Sequence, residues 1–517
     1  MSHTKTSILI AGAGPVGLVL AHHLARVGVN TIVLEQAAEL SDEPRAVGLD
    51  PESLRSLQGL DLMEALAGEI MFGVTGDYLN GAGELLFEIQ DDSVGPLGYP
   101  NLNGFNQPGL VRILAAELAR YDCAQLLFQH ELQEFSQSDA GVQVQVKDAS
   151  GALVEFEADY LVGCDGGRSA VRAQLGIKMQ GESNPQPWLV IDTREKNYDG
   201  RRKVRFFCDP ARPGMFIQTP HSNRRWEWML LPGEEREPFL EDATIHKLIA
   251  PYVNVDEIDI YRRRVYDFHA IIADRWQDGR VFLAGDAAHM TPPFAGQGLN
   301  SGFRDAANLA WKLAAVTNWG APATLLENYQ RERWDHAQQL INMAVQLGND
   351  IQPTDPAKAA ERDAGFAALR EMPGAMDDFQ NGLFKALADR FFVEGAAVNI
   401  AGDELSGRML LQPEVSTLSG QTGRLDEFLG SGFSIIGCGC DPQQEIDANA
   451  LAPWLEQEVS TVGIADSGGY FDEIVAAGAG TMLLLRPDRF CMAVFNAGNA
   501  QEKLREAGQL LGLQETI

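Results

Sequence analysis

Short, uninterrupted apolar runs alternate with helix-like patterns over the first third of the chain. Ser7–Ala11 is such a run; a glycine loop follows, then a helical pattern over Leu18–Val27 that closes at Gly28, then a second run at Thr31–Leu34. Runs without polar alternation suit strands buried on both faces, so this opening reads as a parallel β–α–β unit. Leu54–Ala67 and Gly109–Tyr121 carry apolar residues at helical spacing. Val142–Val146 and Leu153–Phe156 read as a hairpin turning through Ala149, Ser150 and Gly151. A further apolar strand, Tyr160–Cys164, ends in Asp165-Gly166, with a helix starting near Ser169.

The period changes at Pro187. Trp188–Asp192, Val204–Cys208, Met215–Thr219 and Arg225–Leu231 are strand-like up to about Ala273, the last two joined by a polar turn at His221, Ser222 and Asn223. Helical spacing returns after the strand Val281–Ala284, where Phe303, Ala306, Ala307, Ala310 and Leu313 share a face, and again over Ala323–Gly348. The segment from Asp350 to about Gly402 is irregular with helical pieces. The tail has a strand at Phe433–Gly437 and a helix at Ala450–Glu458. A hairpin, Gly480–Arg486 with Phe490–Phe495, and a closing helix, Ala500–Leu511, complete it. The expected fold class is α/β: a Rossmann-like dinucleotide-binding domain over 1–180 and 275–350, a mostly antiparallel sheet over 181–274, a helical connection over 351–404 and a separate C-terminal domain over 405–517.

At 517 residues the chain can bury several cores. Its formal net charge of −31 argues against a nucleic-acid backbone or an anionic membrane as partner. The six cysteines are scattered without zinc-type spacing, which suits reduced thiols and a cytoplasmic location, and no metal site is expected. Ser7–Ala11 is too short for a signal-peptide core, and no apolar run is long enough to span a membrane.

Three stretches carry chemistry. Gly12-Ala13-Gly14-Pro15-Val16-Gly17 is a G-x-G-x-x-G loop between a strand and a helix, and Glu35 lies 23 positions after its first glycine, beside Gln36. Gly12 permits the turn, Gly14 lets backbone approach a pyrophosphate, Gly17 packs helix on strand, and Glu35 accepts from ribose hydroxyls. Asp165-Gly166 ends a second strand. The third stretch, Gly279–Leu313, places Asp286 at a strand end, then the stiff pair Pro292-Pro293, then Gly296 and Gly298 before a helix N-terminus. A carboxylate, a glycine-lined loop and a positive helix end are what a flavin needs for its ribityl hydroxyls, its ring and the N1–C2=O region.

Together these stretches resemble the class A flavoprotein aromatic hydroxylases, with particular likeness to 3-(3-hydroxyphenyl)propionate hydroxylases and related phenol hydroxylases. The resemblance implies FAD, NADH or NADPH as co-substrate, and hydroxylation of a phenolic ring with O2 through a flavin C4a-hydroperoxide. Asp286 would hold the ribityl chain, with Pro293, Gly296, Gly298, Leu299 and Asn300 against the isoalloxazine. Arg45 and Gln107 match flavin-contacting positions, and Arg112 is a weaker match. Asp165 matches the second fingerprint, with Arg168 and Arg172 as phosphate partners. The antiparallel sheet would roof the substrate, and Phe216, Gln218, Trp226, Trp228 and Phe294 are candidates to meet it. Pro293 and His221 are the weak catalytic candidates, and His269 is weaker still. Arg224 or Arg225 would meet a substrate carboxylate unless it is simply solvated. The charges of Tyr329–Arg333 read as a solvated face. The tail resembles the thioredoxin-like domain of phenol hydroxylases, but Cys438-Gly439-Cys440 is C-x-C and lacks the redox spacing, so its role is structural or a homodimer contact. Two rivals remain: an FAD-dependent dehydrogenase or reductase on the same fold, and a non-catalytic flavin-binding sensor.

Overall fold

The computed structural model describes residues 4–89, 93–183, 185–197, 200–388, 392, 395–398, 404–471 and 480–513. Its central strand is Thr4–Ala11, in which Ile8, Leu9 and Ile10 have no exposed surface. It pairs in parallel with Thr31–Glu35 on one side and Leu153–Gly163 on the other, and Val281–Leu283 continues the parallel order. Ala124–Phe128 extends the opposite edge. The expected hairpin is present, Gly141–Lys147 pairing antiparallel with the N-terminal half of Leu153–Gly163, but its second arm and the next expected strand are this one continuous strand.

Helices cover this sheet. The first, Pro15–Arg26, begins three residues before the expected start, because Pro15 at its first turn already holds a helical φ. The helix expected over Leu54–Ala67 is broken. Pro51–Gly59 ends where Asp61 adopts φ 55°, and a short turn, Met63–Leu66, resumes beyond it. The long helix expected from Ala323 opens instead with a 3-10 turn, Ala323–Glu327, and runs as α-helix over Asn328–Ile351.

The second sheet has seven strands in the order Ile258–Tyr266, Trp188–Glu195, Asn223–Met229, Gly214–Thr219, Lys203–Cys208, Thr75–Asn80 and Leu85–Ile89. The last two come from outside the 181–274 segment, and Thr75–Asn80 joins in parallel with Lys203–Cys208. Both faces of this sheet are covered. Met215, Ile217, Met229 and Trp188 pack with Phe294, Leu347 and Ile351 on the face toward the Rossmann-like domain. Leu189, Ile191, Phe216, Trp226 and Trp228 pack with Phe239, Ile245 and Ile249 of the turn and helix over Glu237–Ile249 on the other.

The C-terminal unit is a six-stranded mixed sheet in which Ser434–Cys438 runs parallel to Ser460–Asp466 and antiparallel to Thr481–Leu485. It docks through two buried ion clusters. Arg55 donates twice to Asp426 at 2.7 Å, and Arg486 donates twice to Glu332 at 2.8 Å. Part of the connection between 351 and 404 lies outside the described residues; the rest holds helices at Pro356–Glu371 and Ala375–Leu383. Among the described residues no helix is long and apolar enough to cross a membrane, and no group of side chains has the makings of a metal site.

Candidate active site

The parallel strands end together, and their C-terminal loops form a cleft, as the topology of such sheets dictates. Gly12 adopts φ 107°, and a Cβ there would lie 2.5 Å from the carbonyl oxygen of Cys164. A Cβ on Gly17 would meet the carbonyl of Gly12 at 2.1 Å. These two glycines therefore serve close packing of loop, helix and strand. Gly14, Gly166 and Gly296 are different: a Cβ on any of them would meet nothing within 4 Å, so open space lies against their backbone.

Around that space stand the polar groups. Asp286 follows Val281–Leu283 in a single 3-10 turn. Its side chain reaches solvent, yet it is crowded by protein at the floor of the cleft. That crowding pushes its pKa up, while the charges of His289 and Arg45 act against the rise. Asp165 accepts from Val171 N–H with one oxygen, and its Oδ1 is buried with no partner. Glu35 accepts the N–H groups of Ala13 and Ala37, closing the turn beside Gly12 and Gly14; Gln36 is exposed next to it. Opposite, the 22-residue helix Gln297–Asn318 opens with Gly296 in the left-handed region and without a side-chain cap, so its first N–H groups and its positive end are free.

A buried network holds this geometry. Asp305, with no exposed surface, accepts from Gly285 N–H at 3.0 Å, His289 Nε2 at 2.7 Å and Arg333 Nε at 2.9 Å. Burial alone would raise its pKa; His289, Arg333 and the hydrogen bonds outweigh it and hold the carboxyl down to about 2. Gly285 sits at φ 62°, and a Cβ there or on Gly302 would press on Val16, so strand end, first helix and long helix meet without side chains between them. Arg172 donates to the carbonyls of Ala287 and Gly167, tying the Asp286 loop to the Asp165 loop. Its guanidinium is thus occupied by backbone, which corrects the expectation of a phosphate partner; Arg168 remains exposed.

Gln107 Oε1 accepts the backbone N–H groups of Arg45 at 2.8 Å and Ala46 at 2.6 Å, placing the exposed Arg45 side chain beside the cleft. Asn300 is buried. Its amide donates to Gly48 and Gly296 carbonyls and accepts from Asp50 N–H and Ser53 Oγ, so its side chain is committed to holding the loop and the helix start together. Arg112 pairs with Asp42 at the surface. Pro293 is exposed at the start of the turn Pro293–Ala295.

The roof departs from expectation. Strand alternation points Trp226 and Trp228 away from the cleft, and Phe216 and Gln218 with them. Phe216 and both tryptophans are packed under the helix Asp242–Ile249, and Trp226 donates to Thr193 Oγ1. Gln218 lies beside Arg224, its amide turned to accept that guanidinium. These side chains are the outer core of the sheet and do not line a substrate cavity. Phe294 alone of that set is on the inner side, edge-on to Trp188 at 5.4 Å and to Phe268 at 5.8 Å. His221 is exposed at the hairpin tip with φ 64° and meets Glu69 at 2.9 Å; His269 meets Ser183. Arg224 and Arg225 are buried and ion-paired rather than solvated. Arg224 donates to Glu195, and Arg225 donates to Asp192 at 2.8 Å. Arg225 also donates to the carbonyl of Arg45, and Arg262 bridges Asp192 and the carbonyl of Pro44, so the roof is fastened to the Arg45 loop.

On the inner face of the same strand lies a residue that sequence reading passed over. Glu227 alternates with Trp226 and Trp228, opposite Val190 on one neighbouring strand and Met215 on the other. It is 7% exposed. Its only sequence signal is the alternation itself. Glu332 and Arg333 were also misread: both are buried, and Arg333 belongs to the Asp305 network.

A glycine-walled cleft at the strand ends, two carboxylates, an uncapped helix end and a fitted roof define a flavin-dinucleotide protein. Comparison with known proteins agrees. Residues 5–344 match the FAD binding domain family, and residues 407–510 match the HcaD C-terminal domain. The chain is 37% identical to a 3-(3-hydroxy-phenyl)propionate/3-hydroxycinnamic acid hydroxylase of Burkholderia cenocepacia (strain HI2424), covering 96% of this chain and 95% of that protein. It is 35% identical to the enzyme of the same name from Klebsiella pneumoniae (strain 342), over 96% and 92% of the two chains. Among solved structures, the ternary complex of aklavinone-11 hydroxylase with FAD and aklavinone superposes with a TM-score of 0.82 at 24% identity, covering 99% of this chain and all of that one. Anhydrotetracycline hydroxylase from Streptomyces rimosus superposes with a TM-score of 0.78 at 27% identity, over 98% and 99%. The chain belongs to the FAD binding domain family and, within it, to the FAD-dependent aromatic hydroxylases. It is a monooxygenase that uses FAD, NAD(P)H and O2 on an aromatic ring.

Proposed function

We propose that the substrate is a phenol carrying a short acidic side chain, of the 3-(3-hydroxyphenyl)propionate or 3-hydroxycinnamate kind. The observation that supports this most is near-full-length similarity to several enzymes with that name. The site is compatible with it. Val190, Met215, Ile217 and Met229 make the inner roof apolar enough for a ring and exclude water from it.

FAD, when bound, supplies electron transfer from NAD(P)H and the activated oxygen. The chain would hold it along Gly12–Gly17, with Glu35 and Asp165 as acceptors toward the nucleotide half and Asp286 toward the ribityl chain. The free N–H groups at Gly298 and Leu299 would stabilise negative charge on the ring. Pro293 and the turn after it would form the wall between flavin and substrate. We also propose a cytoplasmic location, supported by six scattered cysteines, none of which forms a disulfide among the described residues.

The test is a panel of phenols offered to the FAD-loaded protein while NAD(P)H oxidation is followed. Phenols with a meta acidic chain should stimulate it most. Equal stimulation by phenols without the acid group would refute the side-chain assignment.

A further inference from the structure

Glu227 is a buried carboxyl that no hydrogen bond among the described residues uses. Alternation along Asn223–Met229 sets Arg225, Glu227 and Met229 on the inner face, toward the cleft. Arg225 at one side of it is committed to Asp192 and to the carbonyl of Arg45. Met229 at the other side packs with Trp188 and Phe294. In register across the sheet are Val190 and Met215, neither of which has a side-chain donor. Among the described residues the Glu227 carboxyl makes no hydrogen bond, although the charged groups nearest it, Arg225, Asp192 and Arg262, all hydrogen-bond one another or the Pro44–Arg45 backbone. A buried acid left without a hydrogen bond is costly to folding, and such groups concentrate at reaction centres.

We propose that Glu227 binds the hydroxyl of the phenolic substrate and takes its proton during hydroxylation; this rests on the substrate class proposed above. The phenolic O–H donates to a carboxylate oxygen of Glu227. As the ring is attacked, the O–H bond breaks, the proton passes to Glu227, and the electron pair left on oxygen raises density at the ortho and para carbons. The ring regains aromaticity when the hydrogen on the oxygenated carbon leaves as a proton to solvent, its C–H electron pair re-forming the ring, and the proton held by Glu227 returns to the phenolic oxygen, so Glu227 ends unchanged. Burial pushes the Glu227 pKa up to about 7, with Arg225 and Arg262 pulling down and Asp192 pushing up. A carboxyl poised there exchanges a proton near neutrality. The same charge repels a second carboxylate, so the hydroxyl end of the substrate meets Glu227 and the acidic chain points away from it.

The experiment measures ligand affinity from the change in flavin absorbance of the FAD-loaded enzyme, for 3-(3-hydroxyphenyl)propionate and its deoxy analogue 3-phenylpropionate, between about pH 6 and pH 8.5. Wild type should prefer the hydroxylated ligand by about tenfold or more at the upper end. That preference should shrink as the pH falls through about 7, as Glu227 becomes protonated. Glu227→Gln and Glu227→Leu, each checked for FAD content, should lose both the preference and its pH dependence. Glu227→Leu should bind the deoxy ligand at least as well as wild type does. If either variant keeps the wild-type preference and profile, the assignment of Glu227 is overturned while the hydroxylase reading stands. If wild type itself neither prefers nor hydroxylates any phenol, the substrate reading falls and this assignment with it.

Discussion

Glu332 is the joint between the FAD-binding domain and the C-terminal unit, and replacing it should loosen that joint by a calculable amount. Its carboxylate accepts two bonds from Arg486 at 2.8 Å, one from Lys312 at 2.8 Å, one from Asn308 at 2.6 Å and one from the backbone of Ala396 at 2.7 Å. Arg486 and Lys312 have no exposed surface. Burial opposes ionisation of Glu332, but Arg486 and Lys312 overcome it and bring its pKa to about 2, against 4.5 for a free glutamate. That displacement corresponds to roughly 3 kcal/mol. Removing one partner of a buried ion pair costs a similar amount, roughly 3–5 kcal/mol. Glu332→Gln keeps the shape and deletes the charge, so a loss of about 3 kcal/mol is expected. Trp311 reports on the joint, since Arg486 lies 4.9 Å above its ring and its Nε1 donates to Asp488. Urea unfolding followed by tryptophan fluorescence should show a midpoint lower by about 1–3 M, with FAD content of the folded protein unchanged. Because the folded pKa is depressed, the stabilisation is complete above about 4.5 and is lost as the pH falls through about 2. The gap between wild type and variant should therefore narrow on acidification below 4.5. A midpoint within about 0.3 M of wild type at neutral pH would refute the ion cluster as the fastening.

Other outcomes follow from the same structure. Asp286→Ala removes an acceptor from the cleft floor and should weaken FAD binding by about tenfold or more, roughly 1.5–3 kcal/mol; unchanged affinity in a flavin titration would make Asp286 only a strand-end residue. Trp228→Ala should act on stability, by roughly 3–5 kcal/mol, and leave KM for a phenol within about twofold, because the indole belongs to the outer core; a large KM change at unaltered melting temperature would put it in the substrate cavity after all. Cys438→Ser with Cys440→Ser should leave hydroxylation per bound flavin within about twofold, since the pair lacks redox spacing; a loss of a hundredfold with intact fold would make those thiols catalytic.

The placement of the candidate cofactor residues is legible in the sequence because its signals are local. A strand, a glycine loop, a helix and Glu35 lie within one short stretch, and Asp165 and Asp286 each end an apolar strand, so each motif announces its own place in the sheet. Arg45 and Gln107 became visible only through family resemblance, and the structure joins them by two hydrogen bonds. The roof was misjudged for a physical reason. Alternation separates Trp226 and Trp228 from Arg225 and Glu227 but does not tell which face looks inward. The deciding element is the helix Asp242–Ile249, whose covering of the tryptophans is a tertiary fact. Two strands of that sheet, Thr75–Asn80 and Leu85–Ile89, come from a distant part of the chain, which no local pattern reveals. The buried ion clusters hid in the same way. Glu332 and Arg486, or Asp305 and Arg333, look like ordinary surface charges until the fold brings them together without water.

The central claim is that this chain puts one atom of dioxygen into a phenolic ring. Its most direct test is turnover of the FAD-loaded protein with NAD(P)H, 3-(3-hydroxyphenyl)propionate and ¹⁸O2, with the product examined by mass spectrometry. One labelled oxygen per product molecule, on a new ring hydroxyl, is the predicted result. NAD(P)H consumed with only hydrogen peroxide formed, and no labelled aromatic product from any of a broad set of phenols, would contradict it.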